Sequence, residues 1–210
     1  MSLTYLGPAY HIESERLVIR CYNPKDASYL QKAVQESVEH LRPWMPWVKG
    51  EPEELKDKIE RLRLFRAEFD SNTNYVYGVF DSDETELLGG SGLHPSVGLN
   101  AFEIGYWIHV NHINKGYATE VSATLTKVAF EIEHVNRVEI HCDPSNIRSA
   151  TIPKKLGYVH EATLRKRNEN IDGELIDSMI WSMFKEEYFN SHAAKAKIMA
   201  YDVFGNLILS

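Results

Sequence analysis

The chain has 210 residues, 43% hydrophobic and 25% charged, a balance that excludes wholesale disorder and the collagen-like and low-complexity classes. Its 23 Lys+Arg stand against 30 Asp+Glu, a net charge of −7, which speaks against holding nucleic acid by its phosphates and favours cationic partners such as amines or basic peptides. Two cysteines, Cys21 and Cys142, are too few for a disulfide framework, and no apolar run approaches the roughly 18 residues of a membrane span; a reduced, cytoplasmic setting with no membrane partner is expected.

In chain order, the first strand is expected at residues 16–21, and Asn23-Pro24 then opens a helix reaching about Ser37. Residues 41–48 carry Pro43, Trp44, Pro46 and Trp47 and cannot be regular helix throughout. A helix follows from Pro52 to about Phe69, with Leu55, Ile59, Leu62 and Phe69 at helical spacing. Strands are expected at 75–80, 87–93 and 102–110. In the last, Phe102, Ile104, Tyr106 and Ile108 alternate with Glu103, Gly105, Trp107 and His109. A helix over 118–133 places Val121, Leu125, Val128 and Ile132 on one stripe. A strand at 138–142 and a short helix at 147–155, broken by Pro153, come next. Strands at 158–167 and 175–184 form a hairpin across Asp172-Gly173. The order β-α-α-β-β-β-α-β-α-β-β makes an α+β fold with a mixed, largely antiparallel sheet. One domain is expected over 1–188, with a C-terminal extension over 189–210. There 197–203 and 207–209 flank Gly205-Asn206 as an extra hairpin, packed on the domain or on a second subunit of a homodimer.

Two passages carry chemistry. Residues 107–120 run from an alternating strand through a polar loop into an amphipathic helix. The free N–H groups of that helix's first turn, with Lys115, Gly116 and Thr119, make an anion site; a tight connection whose glycine only turns the corner is the alternative. Neither Gly-x-Gly-x-x-Gly nor Gly-Lys-Ser/Thr is present, so dinucleotide and P-loop readings lose support. Residues 142–158 pair a strand end with a helix opened by Ser145 or Asn146. Asn146 and Ser149 stand one turn apart and can share a cleft.

Together, Asn114-Lys-Gly-Tyr-Ala-Thr-Glu and Asn146-Ile-Arg-Ser…Lys-Leu-Gly-Tyr158 resemble the motifs of the GNAT superfamily of acetyl-coenzyme A-dependent N-acetyltransferases. Glu15-Arg-Leu-Val-Ile-Arg20, the Trp44/Trp47 segment and Gly173…Asp177 narrow the resemblance to the RimJ/RimL branch, over about residues 13 to 186. It departs at Ile113, where the family usually has Gln or Arg, and at Asn114, where Gly is common. A basic contact and a φ-permissive residue are thereby lost, and the motif is weakened.

The resemblance implies an acyltransferase with acetyl-CoA held in an opening between the strands at 102–110 and 138–142. The pantetheine would pair with the backbone of Ile108, His109 and Val110, and the pyrophosphate would meet Lys115, Gly116, Tyr117, Ala118 and Thr119, with Asn146 also holding the cofactor. A backbone N–H at the end of the first of these strands would stabilise the oxyanion. Ser149 matches a serine that protonates the leaving sulfur, Glu169 matches a branch glutamate used as base, and Glu103 is the other candidate base. Trp44 and Trp47 are either core anchors or a wall of the acceptor pocket. The acceptor is an amine, either a protein N-terminal α-amine of the ribosomal-protein type or a small molecule. A CoA-binding protein without activity is a third reading, prompted by Ile113 and Asn114. His109 and His112 show no third metal ligand in the sequence, so no metal is expected.

Overall fold

Among residues 8–210, which the computed structural model describes, ten strands form one sheet. They are β1 (His11–Glu13), β2 (Leu17–Cys21), β3 (Tyr75–Asp81), β4 (Leu87–His94), β5 (Ala101–Ile108), β6 (Arg137–Cys142), β7 (Val159–Glu169), β8 (Leu175–Phe184), β9 (Met199–Tyr201) and β10 (Leu207–Leu209). The helices are α1 (Ala27–Leu41), α2 (Leu55–Asp70), α3 (Tyr117–Glu131), α4 (Ile147–Leu156) and α5 (Lys185–Tyr188). The strand order is β10-β9-β1-β2-β3-β4-β5-β6-β8-β7. Every neighbouring pair is antiparallel except β5 and β6, which α3 joins in parallel, so the sheet has the expected mixed, largely antiparallel character. The part of the 1–188 domain before residue 8 lies outside the described residues.

Alternation decides which side chains go where. Leu17, Ile19 and Cys21 pack in the cluster that holds Val121, Leu125 and Val128 of α3, whereas Val18 and Tyr22 join Leu30, Val34 and Leu62 of α1 and α2. The sheet is thus buried on both faces, with α3 on one side and α1 and α2 on the other. Beyond Tyr188, the chain contributes Ala193, Ile198 and Ala200 to the first cluster, and β9 pairs with β1.

Three elements differ from the sequence reading. β1 precedes the expected first strand; three residues are too few to display a period. α1 extends past Ser37 to Leu41 because Val38 and Leu41 continue its apolar stripe, and its start is set by a short turn over Pro24–Asp26 that Asn23 caps. Pro153 does not break α4, which continues to Leu156 and closes on Gly157 in the left-handed conformation.

Glu133, just beyond α3, has a buried Oε1 with no hydrogen-bond partner, and burial raises its carboxyl to about 7. A carboxyl raised in the folded state holds its proton there more tightly than in the unfolded chain. Stability is therefore expected to fall as pH rises from about 4.5, the ordinary value, to about 7. Glu133→Gln should flatten this fall in urea titrations taken across that window, and an unchanged slope would assign it to other groups.

Candidate functional site

β5 and β6 pair only where Ala101–Glu103 lie beside Arg137–Glu139; beyond that the strands part. On the other edge of β5, the His109 N–H donates to the Leu88 carbonyl at 2.8 Å, which turns alternate backbone groups toward β4 and leaves those of Tyr106 and Ile108 facing the gap. A strand edge with unpaired amides is a cradle for an extended amide-bearing chain. Of the three backbone contacts expected at 108–110, only the Ile108 N–H faces this gap. The His109 N–H is taken by Leu88, and the Val110 N–H donates to Ser37 Oγ at 3.0 Å.

A cleft of about 720 Å³ is lined by residues from both faces of the sheet here, including Tyr106 from one phase of β5 and Glu103 and Trp107 from the other. On the α3 side stand Tyr106, Ser149 and Cys142. The Tyr106 hydroxyl lies 3.0 Å from Ser149 Oγ and 3.3 Å from the Ser149 carbonyl oxygen. The second contact has a cause in the sequence. Proline at 153 has no N–H to give the carbonyl four residues earlier, which is that of Ser149, and the phenol donates to it instead. Asn146 caps the same helix, its Oδ1 accepting the Ser149 N–H at 3.1 Å. Burial pushes the Tyr106 phenol and the Cys142 thiol up, so both are protonated at neutral pH.

On the opposite face, Glu103 is half-buried and accepts from Ser96 Oγ at 3.1 Å, and His141 stands beside it in the cleft wall. Glu169, at the end of β7, is exposed but lines the same cleft, as do Trp44, Trp47 and Asn146. Trp47 meets Trp107 edge-on at 6.1 Å between centroids. The expected catalytic and acceptor-side residues, distant in sequence, therefore converge on one opening.

Lys115, Gly116, Tyr117, Ala118 and Thr119 lie together at the start of α3, outside the residues that line this cleft. Gly116 has φ of +84°, a conformation open to glycine, and frees the first amides of the helix. Asn114 stands at φ of +62°, so asparagine supplies the left-handed residue that the sequence reading regarded as lost. Arg16 approaches the same turn: it donates to the Lys115 carbonyl at 2.9 Å, pairs with Glu120 at 2.6 Å and lies over the Tyr117 ring at 4.7 Å. A cation is thus present here despite Ile113.

The fold also brings Glu86 to His109 and His112, the third group that the sequence did not reveal. Their nitrogens are already engaged: His112 by Glu86 at 3.0 Å and Lys115 at 3.3 Å, His109 by Glu36 at 3.0 Å and the Asn111 N–H at 3.3 Å. Tyr106, Arg16 and His141 are not singled out as site residues by the sequence. Tyr106 left a signal as a hydroxyl on the apolar phase Phe102, Ile104, Ile108, and Arg16 as part of the Glu15–Arg20 motif, whereas His141 left none.

A parallel β-α-β unit whose strands part over a cleft, with amides free at the helix start, can hold an extended, amide-bearing ligand that ends in an anionic group. The chain matches the Acetyltransferase (GNAT) domain over residues 16–159 and belongs to that acetyltransferase family. It is similar to the uncharacterized N-acetyltransferase YnaD of Bacillus subtilis, 26% identical over 178 residues that span 85% of this chain and 99% of that protein. It is likewise 26% identical over 182 residues to the [ribosomal protein uS5]-alanine N-acetyltransferase of Escherichia coli, covering 84% of this chain and 91% of that one. In fold it resembles RimJ of Mycobacterium smegmatis in complex with CoA-disulfide, with a TM-score of 0.74 at 21% identity over 90% and 91% of the two chains.

Proposed function

We propose that this enzyme transfers an acetyl group from acetyl-CoA to a protein or peptide N-terminal α-amine, of the kind named for its ribosomal-protein relative. The observation that carries the reading is the cleft between β5 and β6, with hydroxyl donors on one face and carboxylates on the other. Acetyl-CoA fits the features present: the backbone of Tyr106 and Ile108 facing the gap suits its pantetheine amides, and the first turn of α3 with Lys115 and Arg16 suits its pyrophosphate. When bound it supplies an activated acyl carbon as a thioester.

The remaining roles fall to this chain's own side chains. Glu103 and Glu169 hold the acceptor's ammonium in a cleft whose aromatic wall includes Trp44 and Trp47. Once deprotonated, the amine nitrogen bonds the thioester carbon as the carbon–sulfur bond breaks. Ser149, hydrogen-bonded to Tyr106, passes a proton toward the leaving sulfur. Cys21 and Cys142, free and buried, suit a reducing cytoplasm.

The test is an acceptor panel: peptides beginning with alanine, serine or methionine beside spermidine and free amino-acid amides, with acetyl-CoA consumption followed and products located by mass spectrometry. Acetylation of a peptide α-amine is the expected result. Preference for the small amines would redirect the acceptor, and no turnover with any member would leave only a CoA-binding protein. In parallel, CoA at 100 times its dissociation constant should stabilise the fold by about 2.7 kcal/mol. Gly116→Val should abolish that gain while the protein still unfolds cooperatively; an undiminished gain would remove the α3 turn from cofactor binding.

A further inference from the structure

We propose that His141 is the group that takes the proton from the acceptor's ammonium, and that buried Glu139 positions it for this task; the proposal rests on the acetyl-transfer reading above. Glu139 and His141 are two residues apart on β6 and so share one face, and the parallel register sets Glu103 of β5 beside Glu139 on that face. Glu139 is 8% exposed, and its two carboxylate oxygens are both committed: Oε1 to Arg137 Nε at 2.6 Å and Oε2 to His141 Nε2 at 2.6 Å. A carboxylate can only accept, so the Nε2 nitrogen carries the proton in the neutral ring and Nδ1 keeps its lone pair. That Nδ1 lies 3.6 Å from Glu103 Oε1, too long for a direct hydrogen bond. Two acceptors at this separation leave room for a nitrogen within hydrogen-bond reach of both. The ring is partly exposed, with the cleft at its open side.

An ammonium seated there gives one hydrogen bond to Glu103 and its transferable proton to Nδ1. The imidazolium that forms lies between two carboxylates, which stabilise it as it develops. The proton count closes. Of the three ammonium protons, one goes to His141 and later to water, one reaches the departing sulfur through the hydroxyls of Tyr106 and Ser149, and one stays on the amide nitrogen. Base and acid thus stand on opposite faces of the sheet, and the gap between β5 and β6 is where the two meet. Neither Glu103 nor Glu169 has this arrangement: Glu169 is exposed at a hairpin end, and Glu103 is the partner that holds the ammonium.

The charged and titratable groups that face His141 are Glu139 and Arg137 on its own strand, Glu103 on β5, His94 on β4, Asp143 at the strand end and Glu169 on β7. A pH profile must therefore be read with variants. With the best peptide of the panel, His141→Asn is expected to lower kcat/KM at neutral pH by about 10²- to 10³-fold. The deficit should shrink as pH rises toward the amine's own pKa, where free amine forms without a base. The affinity for CoA, measured by calorimetry, should stay within about threefold. Glu139→Gln removes a negative charge from beside the imidazolium, lowers the basicity of Nδ1 and should move the acid limb of kcat/KM to lower pH. A deficit independent of pH, a loss below threefold, or an acid limb that moves with Glu169→Gln and not with Glu139→Gln would overturn the proposal. If His141→Asn does not fold, the limb shift of Glu139→Gln decides it. Failure of the parent protein to turn over acetyl-CoA is a different result, and overturns the acetyl-transfer reading itself.

Discussion

Ser149→Ala and Tyr106→Phe are each expected to lower kcat by about 10²- to 10³-fold, the usual cost of removing one positioned proton donor or charge-stabilising group. The two hydroxyls lie 3.0 Å apart and act as one chain, so the double variant should lose little more than the worse single one. Burial raises the phenol well above neutrality, which suits a donor that keeps its proton until sulfur gains charge. Because the interaction strengthens only as the carbon–sulfur bond breaks, CoA affinity should change little. Tyr106→Phe also leaves the Ser149 carbonyl without its donor, so its melting temperature should fall modestly, whereas that of Ser149→Ala should not. Steady-state kinetics at saturating acetyl-CoA and acceptor check the rates. A kcat within threefold of the parent in both variants would remove this pair from the mechanism.

Lys58→Met is expected to cost roughly 3–5 kcal/mol of folding stability, among the largest effects of any single substitution here. Lys58 is 1% exposed, bonded to the equally buried Glu51 carboxylate and 2.8 Å from Glu53. Removing the ammonium strands a buried negative charge. Burial pushes the Glu53 carboxyl up, but the hydrogen bonds and charges of Lys58 and Arg61 outweigh this and hold it below its ordinary value. A depressed carboxyl contributes stability that is present above its unfolded value and lost as pH falls, and Lys58→Met should blunt that acid-side loss. The triad ties residues 51–53 to α2 next to the segment that bears Trp44 and Trp47, so KM for the acceptor should rise as well. Urea unfolding at neutral and acidic pH measures the first two effects. A loss below about 1 kcal/mol would mean that Glu51 finds water or another partner once the lysine is gone.

The parts of this molecule that a sequence shows best are those with a period. The stripe Val121, Leu125, Val128 defines α3, and the alternation along β5 separates the residues packed under α3 from Glu103 and Trp107. The loop at Lys115-Gly116 and the Asn146–Ser149 pair were also legible, because free helix amides and caps have local signatures. Other contacts depend on register and crossover, which no local pattern encodes. Glu103 meets His141 only because β5 and β6 run parallel after an intervening helix, and Tyr106 meets the Ser149 hydroxyl and the carbonyl that Pro153 leaves open from 43 residues away. Pro153 does not end α4, since in a helix of 10 residues the missing N–H is answered by the Tyr106 hydroxyl of a neighbouring strand. The N–H groups of His109 and Val110 likewise find partners in Leu88 and Ser37, which are far away in the chain and leave no local signature.

A crystal structure of the protein with CoA and the preferred acceptor peptide tests the arrangement most directly. The pantetheine should lie in the gap between β5 and β6, its amides paired with the backbone of Tyr106 and Ile108 and its sulfur at the hydroxyls of Tyr106 and Ser149. The peptide's α-amine should sit on the opposite face, against Glu103 and His141. CoA bound away from that gap, or an amine that enters on the Ser149 face, would contradict it.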